Sequence, residues 1–528
     1  MKMNDKSYVL PKKGLFSGTH PILAVGSALL VIAFVLFTVL DPTVANEVYS
    51  SANNFISSNL DWYYIGLMSF FLFFAVWISF SKYGDIRLGK DSDRPEFSNY
   101  AWFSMLFSAG IGIGILFWSI AEPIYYFQGN PFITDAQVGT VAAAQVAMRV
   151  AIFHWGLHGW ALFAVIGLAL AYFSYRKGLP LSIRSSLHPI FGDRIYGPIG
   201  HAADLLAVFG TVFGIATSLG LGAQQMNAGL SYLFGFEIST ANQITLIAIL
   251  SVIATGSVLT GLNKGIKILS EWNMHLTIVI LLLFIVFGPT VYVLGAFVTN
   301  LGDYITNVVG LGFWVDPDPE RQWQSWWTIF YWGWWIAWAP FCGIFIARIS
   351  KGRTIREFVF GVLIAPTLLA AFWISIFGNT AMFVELFGAG GITEAVNADT
   401  TMALFTTIES MNAGNIVTII ISSLCTVMLV TYFVTSADSA TLVICTIVSF
   451  GDEHPPAKFR VFWGAAIGAV AAVLLYAGGL KALQTASIVA ALPFSFIVIM
   501  ATYGLMKSLR EEFQDKPSKK LKPATEHT

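Results

Sequence analysis

The chain has 528 residues, of which 56% are hydrophobic and 11% are charged, and its formal net charge is −1 at pH 7. Soluble proteins carry about a quarter charged residues, so this composition argues against a soluble protein. Nothing in it indicates a separate catalytic domain or a nucleic-acid surface. Apolar segments of about 20 residues recur along the whole chain and predict an all-α polytopic membrane protein.

About twelve membrane spans are predicted, and they are the apolar stretches 21–40, 62–81, 100–121, 139–175, 200–231, 241–261, 267–298, 323–347, 357–379, 415–449, 460–480 and 483–506. Several are longer than a crossing requires, so tilted or broken helices are expected. The first stretch is interpreted as a retained helix, because residues 1–20 are polar and no small-residue cleavage pattern follows it. Cys342, Cys425 and Cys445 fall within spans, which favours packing roles over a disulfide or a metal site.

Lysine and arginine are concentrated on one side of the predicted membrane. With the N-terminus inside, 26 of the 29 basic residues fall in cytoplasmic segments, and such asymmetry marks the cytoplasmic side. Both termini are therefore predicted to be cytoplasmic, in a multi-pass protein of a plasma membrane, expected to be a bacterial inner membrane. The tail 507–528 is interpreted as a solvated segment beside the membrane, with a sensor of anionic lipid or ionic strength as the alternative.

The third span contains alternating glycines in "SAGIGIGILFWSIAEP", residues 108–123. Gly110, Gly112 and Gly114 weaken a helix and allow close approach of a neighbour. A period of two does not place them on one helix face, as a GxxxG dimer motif would. We therefore predict an unwound segment whose freed backbone groups can contact ions or substrate. A glycine-rich contact between helices is the alternative.

The fourth span contains the stretch "FHWGLHGWALF". Trp155, Trp160 and Phe163 are predicted to splay around one side of a helix. His154 and His158 are four residues apart, a spacing that could hold zinc or haem. No carboxylate or third ligand lies nearby in the sequence, so hydrogen-bonding core histidines are predicted instead.

The eighth span contains four tryptophans in the stretch "YWGWWIAWAPF". Aromatic faces attract quaternary ammonium groups, and three or four rings would contribute on the order of 5 kcal/mol, enough for sub-millimolar binding. We interpret Trp334, Trp335 and Trp338 as one wall of a cage for an onium group and Trp332 as a packing residue. Ordinary packing of all four rings is the alternative.

The tenth span contains polar residues in "YFVTSADSAT", residues 432–441. The hydroxyls of Thr435 and Ser436, together with the carbonyl of Tyr432, offer the oxygen ligands that hard cations such as sodium require. The alternative is that the hydroxyls bond back to carbonyls of the preceding turn. Asp438 interrupts the apolar stretch with a carboxylate and is therefore expected to have a partner.

Together these stretches resemble the betaine/choline/carnitine transporter (BCCT) family. Residues 330–358, "FYWGWWIAWAPFCGIFIARISKGRTIREF", are similar to the family signature over their whole length, including the charged run from Arg348 to Glu357. The stretches "GIGIGILFWSIAEP", "FHWGLHGWALF" and "VTSADSA" resemble three further family segments in the same order. The resemblance covers roughly residues 15–510.

The resemblance implies a five-plus-five inverted-repeat (LeuT-like) transporter fold with two extra N-terminal helices, and a transporter rather than an enzyme. The division of the chain that follows is a cytoplasmic tail (1–20), two extra helices (21–99), a first repeat (100–298), an extracellular connecting segment (299–322), a second repeat (323–506) and a second cytoplasmic tail (507–528).

The resemblance also assigns binding residues. The substrate cage falls on Trp155, Trp160, Phe163, Trp334, Trp335 and Trp338, with Gly112 and Gly114 beside it. The sodium site falls on the carbonyls of Ser108, Ile111 and Tyr432 and on the hydroxyls of Thr435 and Ser436. A second ion site falls on Thr217, Ser218 and Phe341. Family members often have tyrosine where Phe163 stands, so this chain lacks one polar contact there.

The function implied is sodium-coupled symport of a quaternary ammonium or sulfonium zwitterion, glycine betaine or dimethylsulfoniopropionate, by alternating access and for osmoprotection. A zwitterion is the first choice because Gly114 stands where choline-type members can carry an acid. Sodium coupling is favoured because sodium-independent antiporters replace the glycine segment and the ion hydroxyls, which are intact here. Choline or carnitine uptake and sodium-independent exchange are the alternatives within the family.

Two alternatives lie outside this transport function: a membrane enzyme or haem protein that uses the two histidines, and an osmotically gated sensor. The expected partners are the onium substrate, Na⁺ as the coupling ion and membrane lipids, with no cofactor and no nucleic acid. A homotrimer is the assembly implied, since family members are often trimeric.

Overall fold

A computed structural model describes residues 10–110, 112–260, 265–318 and 322–514. The regular structure of these residues is helical and contains no strand, which confirms the predicted all-α class. The α-helices in chain order are α1 (Pro21–Leu40), α2 (Pro42–Asn59), α3 (Asp61–Phe80), α4 (Asn99–Gly110), α5 (Gly112–Phe127), α6 (Val141–Trp155), α7 (Leu157–Ala171), α8 (His188–Phe191), α9 (Pro198–Phe234), α10 (Thr240–Thr260), α11 (Lys267–Phe287), α12 (Thr290–Gly312), α13 (Gln322–Gln324), α14 (Phe330–Ile349), α15 (Ile355–Phe387), α16 (Ile392–Ala398), α17 (Ala403–Ser410), α18 (Asn415–Val448) and α19 (Ala457–Gln514). Two π-helical turns, Tyr172–Arg176 and Ser325–Ile329, extend α7 and precede α14.

Ten helical segments in the described part of the chain are long and apolar enough to cross a membrane. The pair α4 and α5 passes the same test together and is bent by 60° at its break. α19 divides at Gly478 and Gly479, whose backbone angles are not helical, so its two parts count as separate spans. This arrangement agrees with the prediction of about twelve spans, several of them broken.

The segments differ in how much of their surface other helices cover. In the most apolar window of each, the α14 segment is wholly buried and the α6–α7 segment is 94% buried, whereas α1 and α10 are only 28% buried. Apolar side chains that face outward suit contact with lipid, while wholly covered helices form the centre. α14, α6 and α7 therefore lie at the centre of the bundle.

The predicted fourth span is two helices, because the backbone leaves the helical conformation at Gly156 (φ −95°, ψ −144°). A Cβ atom at this position would lie 2.5 Å from Tyr304 Oη and 2.7 Å from Ile152 O, so only glycine fits. Leu157 N, which the break frees from the helical ladder, donates instead to Tyr304 Oη at 2.9 Å. His154 and His158 consequently lie on different helices, and the expectation that they are neighbours on one helix is wrong.

The seventh span ends earlier than predicted, at Gly288 and Pro289, and α12 follows as a separate helix. α12 also occupies much of the predicted connecting segment 299–322. Its buried residues Val293, Asn300, Tyr304 and Leu311 are spaced by seven, four and seven positions, which places them on one face. Only one face of α12 is apolar, so the mean hydropathy over residues 267–298 shows no boundary between the end of α11 and the start of α12.

The tenth span is the continuous helix α18, so its polar residues interrupt the apolar pattern without breaking the helix. Thr435 Oγ1 lies 3.1 Å from Thr431 O, and Thr441 Oγ1 donates to Ala437 O at 2.7 Å. The alternative that hydroxyls bond back to the preceding turn therefore holds for these two residues.

The charged run that follows α14 joins the loop after α3. Leu88 N donates to Arg353 O and Gly352 N to Leu88 O, both at 2.8 Å. Arg356 pairs with Asp85 at 2.7 Å. The run thus fixes one end of α14 to the rest of the bundle.

Candidate functional site

The break between α4 and α5 lies against two groups of predicted site residues. Gly112 has φ +40°, and a Cβ atom there would lie 3.2 Å from Ser436 Oγ. A Cβ atom at Gly114 would lie 2.7 Å from Trp334 Cη2 and 2.8 Å from Trp155 Cη2. The two glycines therefore face different neighbours, a residue predicted for sodium and the aromatic rings, and at Gly114 a side chain would overlap the rings.

Five of the six predicted cage rings form a cluster that is built on Trp334 and Trp335. Trp334 and Trp335 are stacked, with ring centroids 5.1 Å apart and planes inclined by 10°. The Trp155 ring is steeply inclined to both rings, with centroids 6.0 Å from Trp334 and 5.0 Å from Trp335. The Trp338 ring is also steeply inclined to this pair, with centroid distances of 5.9 and 6.0 Å. Phe163 lies 6.1 Å from Trp335. We call these residues, together with Trp160, the aromatic cage.

Trp160 completes the cage through Phe163, with ring centroids 5.7 Å apart. The six rings come from α6, α7 and α14 and are at most 3% exposed. The predicted cage residues are thus brought together across the helix break at Gly156, even though Trp155 and Trp160 do not share a helix.

Hydrogen bonds fix three of the indoles. Trp155 Nε1 donates to Glu122 Oε2 at 2.9 Å, Trp335 Nε1 to His154 O at 2.9 Å, and Trp334 Nε1 to Gly214 O at 3.2 Å. Each bond fixes the edge of a ring and leaves its faces for packing or cation–π contact.

Trp332 lies outside the aromatic cage. It contacts Phe153 at 5.2 Å and stacks on His158 at 5.7 Å, measured between ring centroids, and it is 1% exposed. These contacts are those of a packing residue.

The residues predicted for sodium lie partly outside the described ranges. Ile111 is not described, and Ser108 belongs to the last turn of α4. Of the others, Thr435 Oγ1 lies 3.1 Å from Tyr432 O, so these two oxygens are neighbours. Ser436 Oγ is buried and has no hydrogen-bond partner among the described residues.

Two polar residues of α11 that the sequence analysis did not assign support this region. Asn273 Nδ2 donates to Thr435 Oγ1 at 3.0 Å, and the hydroxyls of Thr277 and Tyr432 are 2.7 Å apart. Asn273 and Thr277 are polar residues four positions apart within an apolar span, and this spacing could have identified them as site residues. Asp438 has the expected partner, since Ser257 Oγ donates to its Oδ2 at 2.5 Å.

The residues predicted for a second ion are buried. Thr217 Oγ1 already lies within 3.0 Å of Phe213 O, Leu483 O and Ser487 Oγ. Ser218 Oγ has no partner in the described structure. The Phe341 ring packs on Trp338 at 5.8 Å. Thr217 is therefore engaged by protein oxygens.

The histidines of the fourth span make hydrogen bonds to separate partners. His154 Nδ1 lies 2.8 Å from Glu122 Oε1 and His154 Nε2 lies 3.1 Å from Thr328 Oγ1. His158 Nε2 lies 3.4 Å from Ser69 Oγ. Within the described residues, no group of three or more histidine, cysteine, aspartate or glutamate side chains could hold a metal ion.

Glu122 is a further residue of this site to which the sequence analysis gave no role. It is fully buried and contacts both the Trp155 indole and His154. The predicted third span ended at residue 121, so Glu122 was not recognised as a carboxylate within a span. That rare position was the signal that could have identified it.

Comparison with known proteins gives a consistent result. A family described as "BCCT, betaine/carnitine/choline family transporter" matches residues 22–514. A "Probable glycine betaine transporter" of Desulfitobacterium hafniense is 45% identical over 94% of this chain and 99% of its own length. A glycine betaine transporter of Bacillus subtilis is 45% identical over 93% and 94%. A "Glycine betaine/proline/choline/ectoine transporter" of Vibrio parahaemolyticus is 40% identical over 93% and 87%.

These matches extend over nearly the whole chain, and the family match spans the glycine break and the tryptophan signature. The chain therefore belongs to the betaine/carnitine/choline transporter family and is a multi-pass membrane transporter of the betaine/choline type, not an enzyme.

Proposed function

We propose that the protein is a sodium-coupled symporter that takes up a zwitterion with a quaternary ammonium or sulfonium group by alternating access. Glycine betaine is the first substrate and dimethylsulfoniopropionate the second. The observation that carries this proposal is the aromatic cage beside the glycine break. Glycine betaine also stands in the names of the three similar proteins above, which supports the choice of substrate.

The cage suits an onium group because such a group has no proton to donate. It is therefore attracted by ring faces, at about 0.5–2 kcal/mol for each ring, and the gain is largest where water is excluded. The first amides of α5 beside the cage have no acceptor within their own helix, and the positive dipole end that they form can receive a substrate carboxylate. A zwitterion thus finds a partner for each of its charges.

Sodium coupling is proposed from the neighbouring oxygens. Ser436 Oγ is a buried oxygen without a partner in the described structure, and it faces the glycine break at Gly112. A buried hydroxyl in that condition costs free energy unless a ligand or water satisfies it. Together with the oxygens of Thr435 and Tyr432, it gives the hard ligand set that sodium requires.

Uptake into proteoliposomes tests the proposal directly. Labelled glycine betaine should accumulate when a sodium gradient is imposed, and accumulation should collapse when potassium replaces sodium outside. Equal accumulation under the two gradients would overturn the coupling and leave sodium-independent exchange. Competition by unlabelled choline, carnitine and dimethylsulfoniopropionate in the same assay ranks the other candidate substrates.

Substitution of Ser436 by alanine should raise the sodium concentration needed for half-maximal uptake about fivefold, because one oxygen ligand contributes roughly 1 kcal/mol. The control is Ser422→Ala, since Ser422 Oγ is also buried in α18 without a described partner. Sodium titrations of uptake compare the two variants with the parent protein. Equal sodium dependence in all three would remove Ser436 from the ion site.

Three further features belong to the same proposal. Both termini are placed in the cytoplasm, across a bacterial inner membrane. The repeats are placed at 100–298 and 323–506, and the assembly is a homotrimer. Labelling of single introduced cysteines from each side of the membrane tests the topology, and light scattering of the purified protein tests the assembly.

A further inference from the structure

Glu122 is a buried carboxylate that four side chains surround. Its partners are Trp155 Nε1 and Tyr331 Oη, at 2.9 and 2.5 Å from Oε2, and His154 Nδ1 and Tyr126 Oη, at 2.8 and 2.9 Å from Oε1. Each partner can donate a hydrogen bond, and a carboxylate has about four lone-pair sites to accept them. The carboxylate is therefore stabilised by neutral donors in place of water.

The charge of Glu122 is not cancelled by a lysine or arginine within the described residues, since its only ion-pair contact there is His154. That imidazole can donate from Nδ1 while Nε2 accepts from Thr328 Oγ1, 3.1 Å away. The neutral tautomer thus satisfies both contacts. The cluster therefore surrounds a fully buried carboxyl group with four donors.

Two of the four donors connect Glu122 to the aromatic cage. Trp155 is itself a cage ring. The Tyr331 ring lies 5.6 Å from Trp155, 6.2 Å from Trp334 and 5.9 Å from Trp335, measured between centroids. The carboxylate therefore holds the edges of two rings whose neighbours form the cage wall.

We propose that Glu122 determines the specificity of the cage for a positively charged head group, an inference that rests on the proposed function. Its contacts with Trp155 and Tyr331 give Glu122 two effects on the cage. It positions Trp155 and Tyr331, and its charge favours a cation across a medium of low dielectric. A hydrogen bond from the indole N–H to a carboxylate also polarises the ring, which strengthens the attraction of its face for a cation.

Two ligands of the same shape but different charge can show whether the cage recognises the positive charge of the head group. Glycine betaine and 3,3-dimethylbutanoate have the same outline and the same carboxylate, but the second has a neutral carbon where the first has the ammonium nitrogen. A cage that only encloses a trimethyl group would bind the two similarly. A cage biased by a fixed negative charge favours the betaine.

The experiment measures the affinities of both ligands, by displacement of labelled glycine betaine from the purified full-length protein. In Glu122→Gln, which keeps the size and one acceptor oxygen but removes the charge, the preference for betaine over 3,3-dimethylbutanoate should fall about fivefold or more. Glu122→Asp keeps the charge and should retain more of the preference. Tyr125→Phe is the matched control, because it removes a tyrosine hydroxyl of the same helix that bonds Thr400 Oγ1 at 2.6 Å, outside the Glu122 cluster, and its preference should be unchanged.

The possible results distinguish a failure of the proposed function from a failure of the inference about Glu122. If the parent protein does not bind glycine betaine, the proposed function fails. If it binds betaine and Glu122→Gln weakens both ligands by the same factor, Glu122 is only structural and this inference is overturned. Trp155→Phe covers the case in which Glu122→Gln does not fold, since it keeps a ring but removes the N–H that contacts Glu122. An unchanged preference in that variant also contradicts the proposal.

Discussion

Replacing Trp335 or Trp338 with leucine is expected to raise the apparent dissociation constant for glycine betaine at least about tenfold, or ~1.4 kcal/mol. Trp335 contacts Trp155, Phe163 and Trp338, so its loss removes one ring face and loosens three others. A single face contributes about 0.5–2 kcal/mol to a desolvated cation. Titration of the purified variants with betaine, followed by displacement of labelled ligand, measures the change.

Trp326→Leu is the control for these substitutions. Trp326 is 45% exposed and lies in the π-helical turn before α14, so it has the same residue type near the same helix but no place in the cage. Its affinity should equal that of the parent protein. Unaltered binding in both cage variants, with folded protein confirmed, would refute the assignment of the cage.

Gly114→Val is expected to weaken glycine betaine binding about a hundredfold, or ~2.7 kcal/mol, which is within the cost of overpacking a dense interior. Even a Cβ atom would come within 2.8 Å of the ring ends of Trp334 and Trp155. These rings cannot yield freely, because hydrogen bonds to Gly214 O and Glu122 Oε2 hold their indole nitrogens. The same displacement assay gives the affinity.

Gly66→Val provides the comparison for this effect. Gly66 lies in α3, and no atom comes within 4 Å of a Cβ atom built there. This variant should bind betaine normally and fold as the parent protein does. Normal binding by Gly114→Val would show that the rings move aside, and that the glycine is not required for their approach.

The three cage tryptophans of α14 could be predicted because they lie close together in the sequence. Trp334, Trp335 and Trp338 share one helix, so their spacing places them on adjoining faces. Their meeting with Trp155, Trp160 and Phe163 depends on contacts between helices, and only the family resemblance indicated it. The site roles themselves, for substrate and for sodium, stay predictions.

The features that sequence reasoning missed arise from distant contacts. The break at Gly156 is supported by Tyr304, which lies about 150 positions later in the chain. Glu122 accepts a hydrogen bond from Tyr331, which lies more than 200 positions away in the sequence. A single glycine inside a span or a glutamate at the end of one gives no periodic signal, so hydropathy alone cannot assign its role.

α12 contacts the two helices on either side of the Gly156 break at two consecutive residues. Asp303 pairs with Arg149 of α6 at 3.2 Å, and the next residue, Tyr304, accepts from the first amide of α7. Trp155 lies between those two contacts in the sequence. α12 therefore fixes the ends of α6 and α7 that flank Trp155, and any movement of α12 would be transmitted to this part of the aromatic cage.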